Sequence, residues 1–174
     1  MTAGTTTQPR LPVTVLSGYL GAGKTTLINR LLAEDHGLNL LVIVNDFGAV
    51  NIDDVLIRQA EGETIALTNG CVCCSMGDDL DIALRRVLIR PDRPDHVLIE
   101  ASGISDPASI ADAVRANPEL SYGGTVTLLD ALNGPELLAD AQLQDLILQQ
   151  LKAADLVLLS KCAAADPGLT AKLA

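Results

Sequence analysis

The residues Gly18-Tyr19-Leu20-Gly21-Ala22-Gly23-Lys24-Thr25 follow the spacing G-x-x-x-x-G-K-[ST] without a gap. That spacing has a physical use. Glycines let the backbone curl until successive N–H groups point inward, and such a nest accepts phosphate oxygens. A helix beginning at the same place adds its positive N-terminal end. Gly18, Gly21, Ala22, Gly23, Lys24, Thr25 and Thr26 are therefore the expected nucleotide contacts. Lys24 should reach the β- and γ-phosphates, and the Thr25 hydroxyl should sit on Mg²⁺. A second segment supports the first. Val97-Leu98-Ile99-Glu100-Ala101-Ser102-Gly103 is an apolar run ending in an acid, with glycine three residues later. Glu100 at a strand tip can hold a Mg²⁺-bound water, and the Gly103 N–H can meet a γ-phosphate, which makes the segment a nucleotide-sensing switch.

Three thiols crowd into Asn69-Gly70-Cys71-Val72-Cys73-Cys74-Ser75. Cys71, Cys73 and Cys74 are soft ligands suited to Zn²⁺, Co²⁺ or Cu⁺. Thiolates this close rarely close a tetrahedron, and the sequence offers no obvious fourth ligand. An incomplete site suits a carrier that must release its ion. Redox exchange and simple core packing stay open as alternatives. Cys162 stands alone and reads as a core residue. His36, just before Gly37, reads as a helix C-cap, and His96 as a structural residue at the start of a strand.

These residues need elements to position them. Leu11–Leu16, Leu40–Val44, His96–Ile99, Thr125–Leu129 and Leu156–Leu159 are short apolar runs without alternation, as expected of strands covered on both faces. Thr64–Leu67 is a weaker candidate. Helical spacing appears in Leu27, Ile28, Leu31 and Leu32, and most clearly in Leu80, Ala83, Leu84, Val87 and Leu88. Asp106–Pro107 has the form of an N-cap followed by proline at the first helical position, with Ile110, Ala113 and Val114 on the buried side. Asn133-Gly134-Pro135 opens a helix expected to run through Leu137–Leu151. Strand and helix alternate throughout, so the class is α/β: a P-loop NTPase with a mostly parallel central sheet and helices on both faces.

Composition narrows the function. A length of 174 residues fits one domain, read as a polar tail over 1–10 and a nucleotide-binding domain over 11–174. Twelve basic against twenty-two acidic residues give a net charge of −10, which argues against a nucleic-acid backbone footprint. The only aromatics are Tyr19, Phe47 and Tyr122, too few for a base-stacking platform. No apolar run reaches the ~18 residues of a membrane span, and the first residues lack a signal-like apolar core. Clustered cysteines without a disulfide framework point to a reducing cytoplasm.

With these residues in view, the sequence resembles the CobW family of P-loop GTPases, related to the hydrogenase- and urease-maturation GTPases. Ser17 to Leu27 match its phosphate loop, and Leu67-Thr68-Asn69-Gly70-Cys71-Val72-Cys73-Cys74 its cysteine motif. Asn45-Asp46-Phe47-Gly48 looks like its Asn-Glu-Phe-Gly segment, and Ile52-Asp53 follows at the family spacing. Ile99-Glu100-Ala101-Ser102-Gly103, then Asp106-Pro107, match the segment after its Mg²⁺-side strand. The resemblance implies GTP hydrolysis with Mg²⁺, coupled to binding and transfer of Zn²⁺ or Co²⁺. It also implies an apo-metalloprotein client and a nucleotide-dependent homodimer. Lys24, Asp46, Asp53 and Glu100 become the catalytic candidates, the two aspartates as groups that orient water or organise the switch. Thr25 and Glu100 become the Mg²⁺ side, and Cys71, Cys73 and Cys74 the transition-metal side. Ser160 and Lys161 match the start of the base-reading segment, but position 163 is Ala where the family carries Asp, so weakened guanine discrimination is expected. The family's further C-terminal domain is expected to be missing. Two other functions compete: a metal store with vestigial hydrolysis, and a P-loop kinase whose lid would draw on Arg85, Arg86, Arg90 and Arg93. A solvated helix face explains those arginines more simply.

Overall fold

The computed structural model describes residues 9–45, 64–67 and 76–173. Within them six strands form one parallel sheet: β1 (Leu11–Gly18), β2 (Leu40–Asn45), β3 (Thr64–Leu67), β4 (His96–Ala101), β5 (Leu120–Asp130) and β6 (Leu156–Ser160). Their order across the sheet is β3-β2-β4-β1-β5-β6. The five expected strands and the weaker Thr64–Leu67 are all present. β5 begins five residues earlier than its apolar run, at Leu120, because Gly123-Gly124 forms an irregularity in the β1–β5 pairing instead of ending the strand.

Alternation through the pleat sorts the side chains into two cores. Val13, Val15, Leu41, Ile43, Val97 and Ile99 face one way, covered by α2 (Met76–Leu88) and α3 (Pro107–Ala116) through Leu80, Leu84, Val87, Ile110 and Val114. Leu16, Val42, Leu98 and Leu128 face the other way, covered by α1 (Lys24–Ala33) through Ile28 and Leu32. Each fully buried aliphatic side chain contributes roughly 1.5–3 kcal/mol, so the central strands anchor the site above them. α3 starts as its sequence requires: the Asp106 carboxylate accepts the Ala108 N–H at 2.9 Å, with Pro107 in the first turn.

Four expectations need correction. The helix expected through Leu137–Leu151 is two helices, α4 (Gly134–Ala139) and α5 (Gln144–Lys152). Asp140 breaks it: its carboxylate accepts the Gln142 N–H at 2.8 Å, a local turn that competes with helical bonding. Cys162 is exposed, not buried. It sits in the turn after β6, the last strand described, where its thiol donates to the Leu159 carbonyl at 3.3 Å. His36 does not cap α1; Glu34 is the cap residue, and the His36 Nδ1 accepts the Leu38 N–H at 3.2 Å two residues beyond it. A final helix, α6 (Pro167–Leu173), has no counterpart among the expected elements. β6 is lightly covered, with Leu156, Val157 and Leu158 between 37% and 52% exposed. Its register is fixed at its start, where Asp155 accepts from the Tyr122 hydroxyl at 2.5 Å and the Thr125 N–H at 2.8 Å. That lock lies at the end of the sheet opposite the phosphate loop.

Candidate nucleotide site

All six described strands end on one edge, and Gly18, Lys24, Thr25, Glu100, Gly103, Ser160 and Lys161 lie there. β1 runs directly into the loop. Gly18, Gly21 and Gly23 hold φ of 136°, 73° and 100°, values that side-chain-bearing residues rarely adopt. Gly18 is also fixed by space, since a Cβ there would lie 2.5 Å from the Leu128 carbonyl oxygen. Ala22 is buried, and its N–H turns back to the Tyr19 carbonyl at 3.1 Å. α1 then begins without a side-chain cap, and its first internal bond runs from Leu27 N–H to Gly23 carbonyl. The amides of Lys24, Thr25 and Thr26 precede that bond and so belong to the helix end that favours an anion. Lys24 is buried, and its ammonium donates to the carbonyls of Gly18 at 2.7 Å and Tyr19 at 3.4 Å. The cation is thus held over the loop.

Sheet order brings Glu100 to the same place. β1 and β4 are immediate neighbours with Leu16 paired to Glu100. The Thr25 hydroxyl donates to the buried Glu100 carboxylate at 3.4 Å. A hydroxyl and a carboxylate are hard oxygen donors, and this pair beside an anion-binding loop fits Mg²⁺. Gly103 follows in a tight turn: Ser105 donates to the Ser102 carbonyl through its N–H at 3.1 Å and its hydroxyl at 2.9 Å. Gly103 packs on the phosphate loop so closely that a Cβ would meet Leu20 Cδ2 at 2.7 Å and Leu20 N at 2.8 Å.

The opposite side of the loop is built on β5 and β6. Ser160 is paired with Asp130, and its Cβ lies 3.9 Å from where a side chain on Gly23 would begin. Lys161 takes a left-handed φ of 56° and donates to the Asp130 carboxylate at 2.7 Å. Burial raises the carboxyl pKa of Asp130, but Lys161, the Asn133 amide and the Leu132 and Asn133 N–H groups outweigh it and hold it below the usual value. A cavity of about 370 Å³ opens between Tyr19, Gly21, Asp130, Glu136, Asp140 and Lys161. Ala163 is exposed in the turn after Lys161.

Sequence reasoning missed two contributors. Asp130 ends an apolar strand as Glu100 does, and that shared position was the available signal. Gln150 interrupts the apolar side of α5 at one turn from Ile147, both being buried. Asp46, Asp53, Cys71, Cys73 and Cys74 lie outside the described residues, and among those described no His, Cys, Asp or Glu cluster could hold a metal ion. His96 is structural: half-buried, it pairs with the Thr14 hydroxyl at 2.9 Å, and burial lowers its pKa. Arg85 lies on α2 and pairs with Asp81, as a solvated helix face would; Arg90 and Arg93 instead lie beyond the end of α2, where Arg90 pairs with Asp92 and Arg93 donates to the Pro9 carbonyl at 2.9 Å.

Comparison with known proteins agrees with this geometry. The zinc chaperone CobW of a Sinorhizobium species is 32% identical, over 92% of this chain and 53% of that protein. The zinc chaperone YjiA of Escherichia coli is 37% identical, over 87% of this chain and 49% of that one. The crystal structure of Zn(II)-bound YjiA GTPase from E. coli superposes with a TM-score of 0.67 at 28% identity, over 95% of this chain and 54% of the other. The chain thus spans about half the length of the relatives it matches. The model of the family described as CobW/HypB/UreG, nucleotide-binding domain, matches residues 12–173, so the chain belongs to that family.

Proposed function

We propose that this chain binds GTP with Mg²⁺, hydrolyses it, and couples its nucleotide state to binding and transfer of a transition metal. Zinc is the first choice of cargo and cobalt the second. The observation that carries the reading is the β1–β4 pairing, which brings Thr25 within 3.4 Å of Glu100 beside an uncapped helix start. Thr25 and Glu100 would hold the Mg²⁺, which supplies charge neutralisation at the β- and γ-phosphates. The chain's own part is to cradle the phosphates on the loop amides, place Lys24 against them and present the Gly103 N–H to the terminal group. Zinc as cargo is supported by the names of the relatives, and by Cys71, Cys73 and Cys74 as soft ligands. β3 leaves the sheet at the edge where β1 and β4 also end, and Cys71 follows shortly afterwards in the sequence. Asp46 and Asp53 are proposed to orient water or organise the switch. An apo-metalloprotein as recipient and a nucleotide-dependent homodimer belong to the same reading.

The test combines nucleotide and metal. Phosphate release from GTP in Mg²⁺ without an acceptor is expected, and its absence overturns hydrolysis. Zinc affinity, measured against a chromophoric chelator, should change about 5- to 150-fold when a non-hydrolysable GTP analogue is bound. The double variant Cys73→Ser, Cys74→Ser should lose that zinc response and keep nucleotide binding. Full zinc affinity in the double variant would refute the cysteine assignment.

A further inference from the structure

Gln150 is 1% exposed, in the last turn of α5, the helix that connects on from β5 towards β6. A buried amide costs roughly 1–3 kcal/mol unless its hydrogens are used, and leucine at that position would have packed beside Ile147 without that cost. The hydrogens are used. The Gln150 Nε2 donates to the Gly103 carbonyl at 3.0 Å and to the Ser105 carbonyl at 3.2 Å. An amide nitrogen has two N–H groups, so both are committed to the turn after Glu100. The neighbouring Gln149 adds a bond of 2.8 Å to the Asp106 carboxylate. The backbone of Gln150 is tied down as well, its carbonyl accepting the Thr127 hydroxyl of β5 at 3.2 Å.

We infer that Gln150 is a positioning residue that sets the direction of the Gly103 N–H, and that α5 thereby couples the base-side strand β6 to the γ-phosphate side of the site. The reasoning follows peptide geometry. A trans peptide is planar, with its N–H opposite its C=O. The Gly103 N–H shares a peptide with the Ser102 carbonyl, which the Ser105 N–H and hydroxyl hold. The next peptide carries the Gly103 carbonyl, which Gln150 holds. Glycine alone would leave both its dihedrals free; here the peptide on each side is fixed. Contact with Leu20 closes the third direction. A movement that re-aims the Gly103 N–H while the Ser105 bonds to Ser102 hold must carry the turn as a unit and so break or carry Gln150, and α5 leads on to β6 and then Lys161.

This inference rests on the proposed role of Gly103 at the terminal phosphate. Gln150→Leu removes both donors at similar volume. Expected are GDP affinity within about twofold of wild type, kcat for GTP hydrolysis lower by about 10- to 100-fold, and faster hydrogen exchange at the amides of 103–106. Unchanged kcat together with unchanged exchange overturns the inference. Gln150→Glu adds a readout that a packing role would not move. Its carboxyl supplies one donor when protonated and none when ionised, so its kcat relative to wild type should rise as pH falls. A ratio independent of pH overturns the inference even if Gln150→Leu fails to fold. Should the wild type neither bind nor hydrolyse GTP, the proposed function fails, while the exchange comparison still decides whether Gln150 holds the turn.

Discussion

Gly103→Ala probes the contact between the turn after Glu100 and the loop after β1. The added methyl would stand 2.7 Å from Leu20 Cδ2, 2.9 Å from Leu20 Cγ and 2.8 Å from Leu20 N. The first two atoms belong to a side chain that is 60% exposed and can swing into solvent at little cost. The third is backbone of the loop itself, which is fixed on its far side by the approach of Gly18 to Leu128. One contact of three therefore cannot relax cheaply. Overpacking typically costs about 1–3 kcal/mol, and this geometry points to the lower half of that range. At about 2–4 °C per kcal/mol for a domain of this size, the thermal midpoint should fall by roughly 2–8 °C. Nucleotide affinity should fall as well, because relief comes by moving the loop away from the turn. Leu20→Ala removes the two side-chain contacts and leaves the backbone one, so the double variant should keep most of the loss. Thermal unfolding and calorimetric GTP titration of the four proteins would measure the coupling. Full recovery in the double variant, or a Gly103→Ala variant as stable as wild type, would refute the backbone-contact argument.

Lys24→Ala should abolish tight nucleotide binding in Mg²⁺ while the far-ultraviolet spectrum stays native; wild-type affinity by calorimetry would remove the loop from the site. Asp130→Asn should weaken the hold on Lys161, whose side chain is 39% exposed, so solvent screening limits the stability loss to about 1–2 kcal/mol in urea unfolding. Its larger effect should be on GTP over ATP preference. Ala163→Asp should sharpen that same preference, and a wild-type chain that already prefers GTP by more than about 10⁴-fold would show that another residue reads the base. His96 has its pKa lowered from 6.5 by burial, so the folded state favours the neutral ring. Its contribution to stability is complete above pH 6.5 and is lost as pH falls from there through the lowered folded value. His96→Gln should flatten this part of the stability–pH profile, and an unchanged slope would show that other groups set it.

The loop, its strand and the Glu100 strand were legible because each carries a local pattern: fixed glycines, an apolar run, an acid at a strand end. Their adjacency was not. Leu16 pairs with Glu100 through sheet order, and no spacing in the sequence records which strands are neighbours. Asp130 and Gln150 escaped for the same reason, since their partners Lys161 and Gly103 lie far away along the chain. The break at Asp140 lost to helical periodicity, because a side chain that takes one backbone N–H overrides propensity without disturbing the apolar pattern. Cys162 looked buried because its residue type often is; its exposure depends on how little covers β6.

The central place of β1 has a consequence for how the chain acquires its structure. β1 is the first of the described strands, yet its partners are β4 and β5, with Val13 against Val97 and Leu11 against Leu120. During synthesis the apolar residues from Leu11 to Leu16 must wait for a large part of the domain before either edge is paired. Contacts so distant in sequence make loop closure costly before any burial offsets it, and they slow folding. The phosphate loop inherits that delay, because β1 carries it. Nucleotide recognition should thus be among the last properties to appear on refolding, after the helices have formed, and an unpaired β1 is the segment most in need of protection in the meantime.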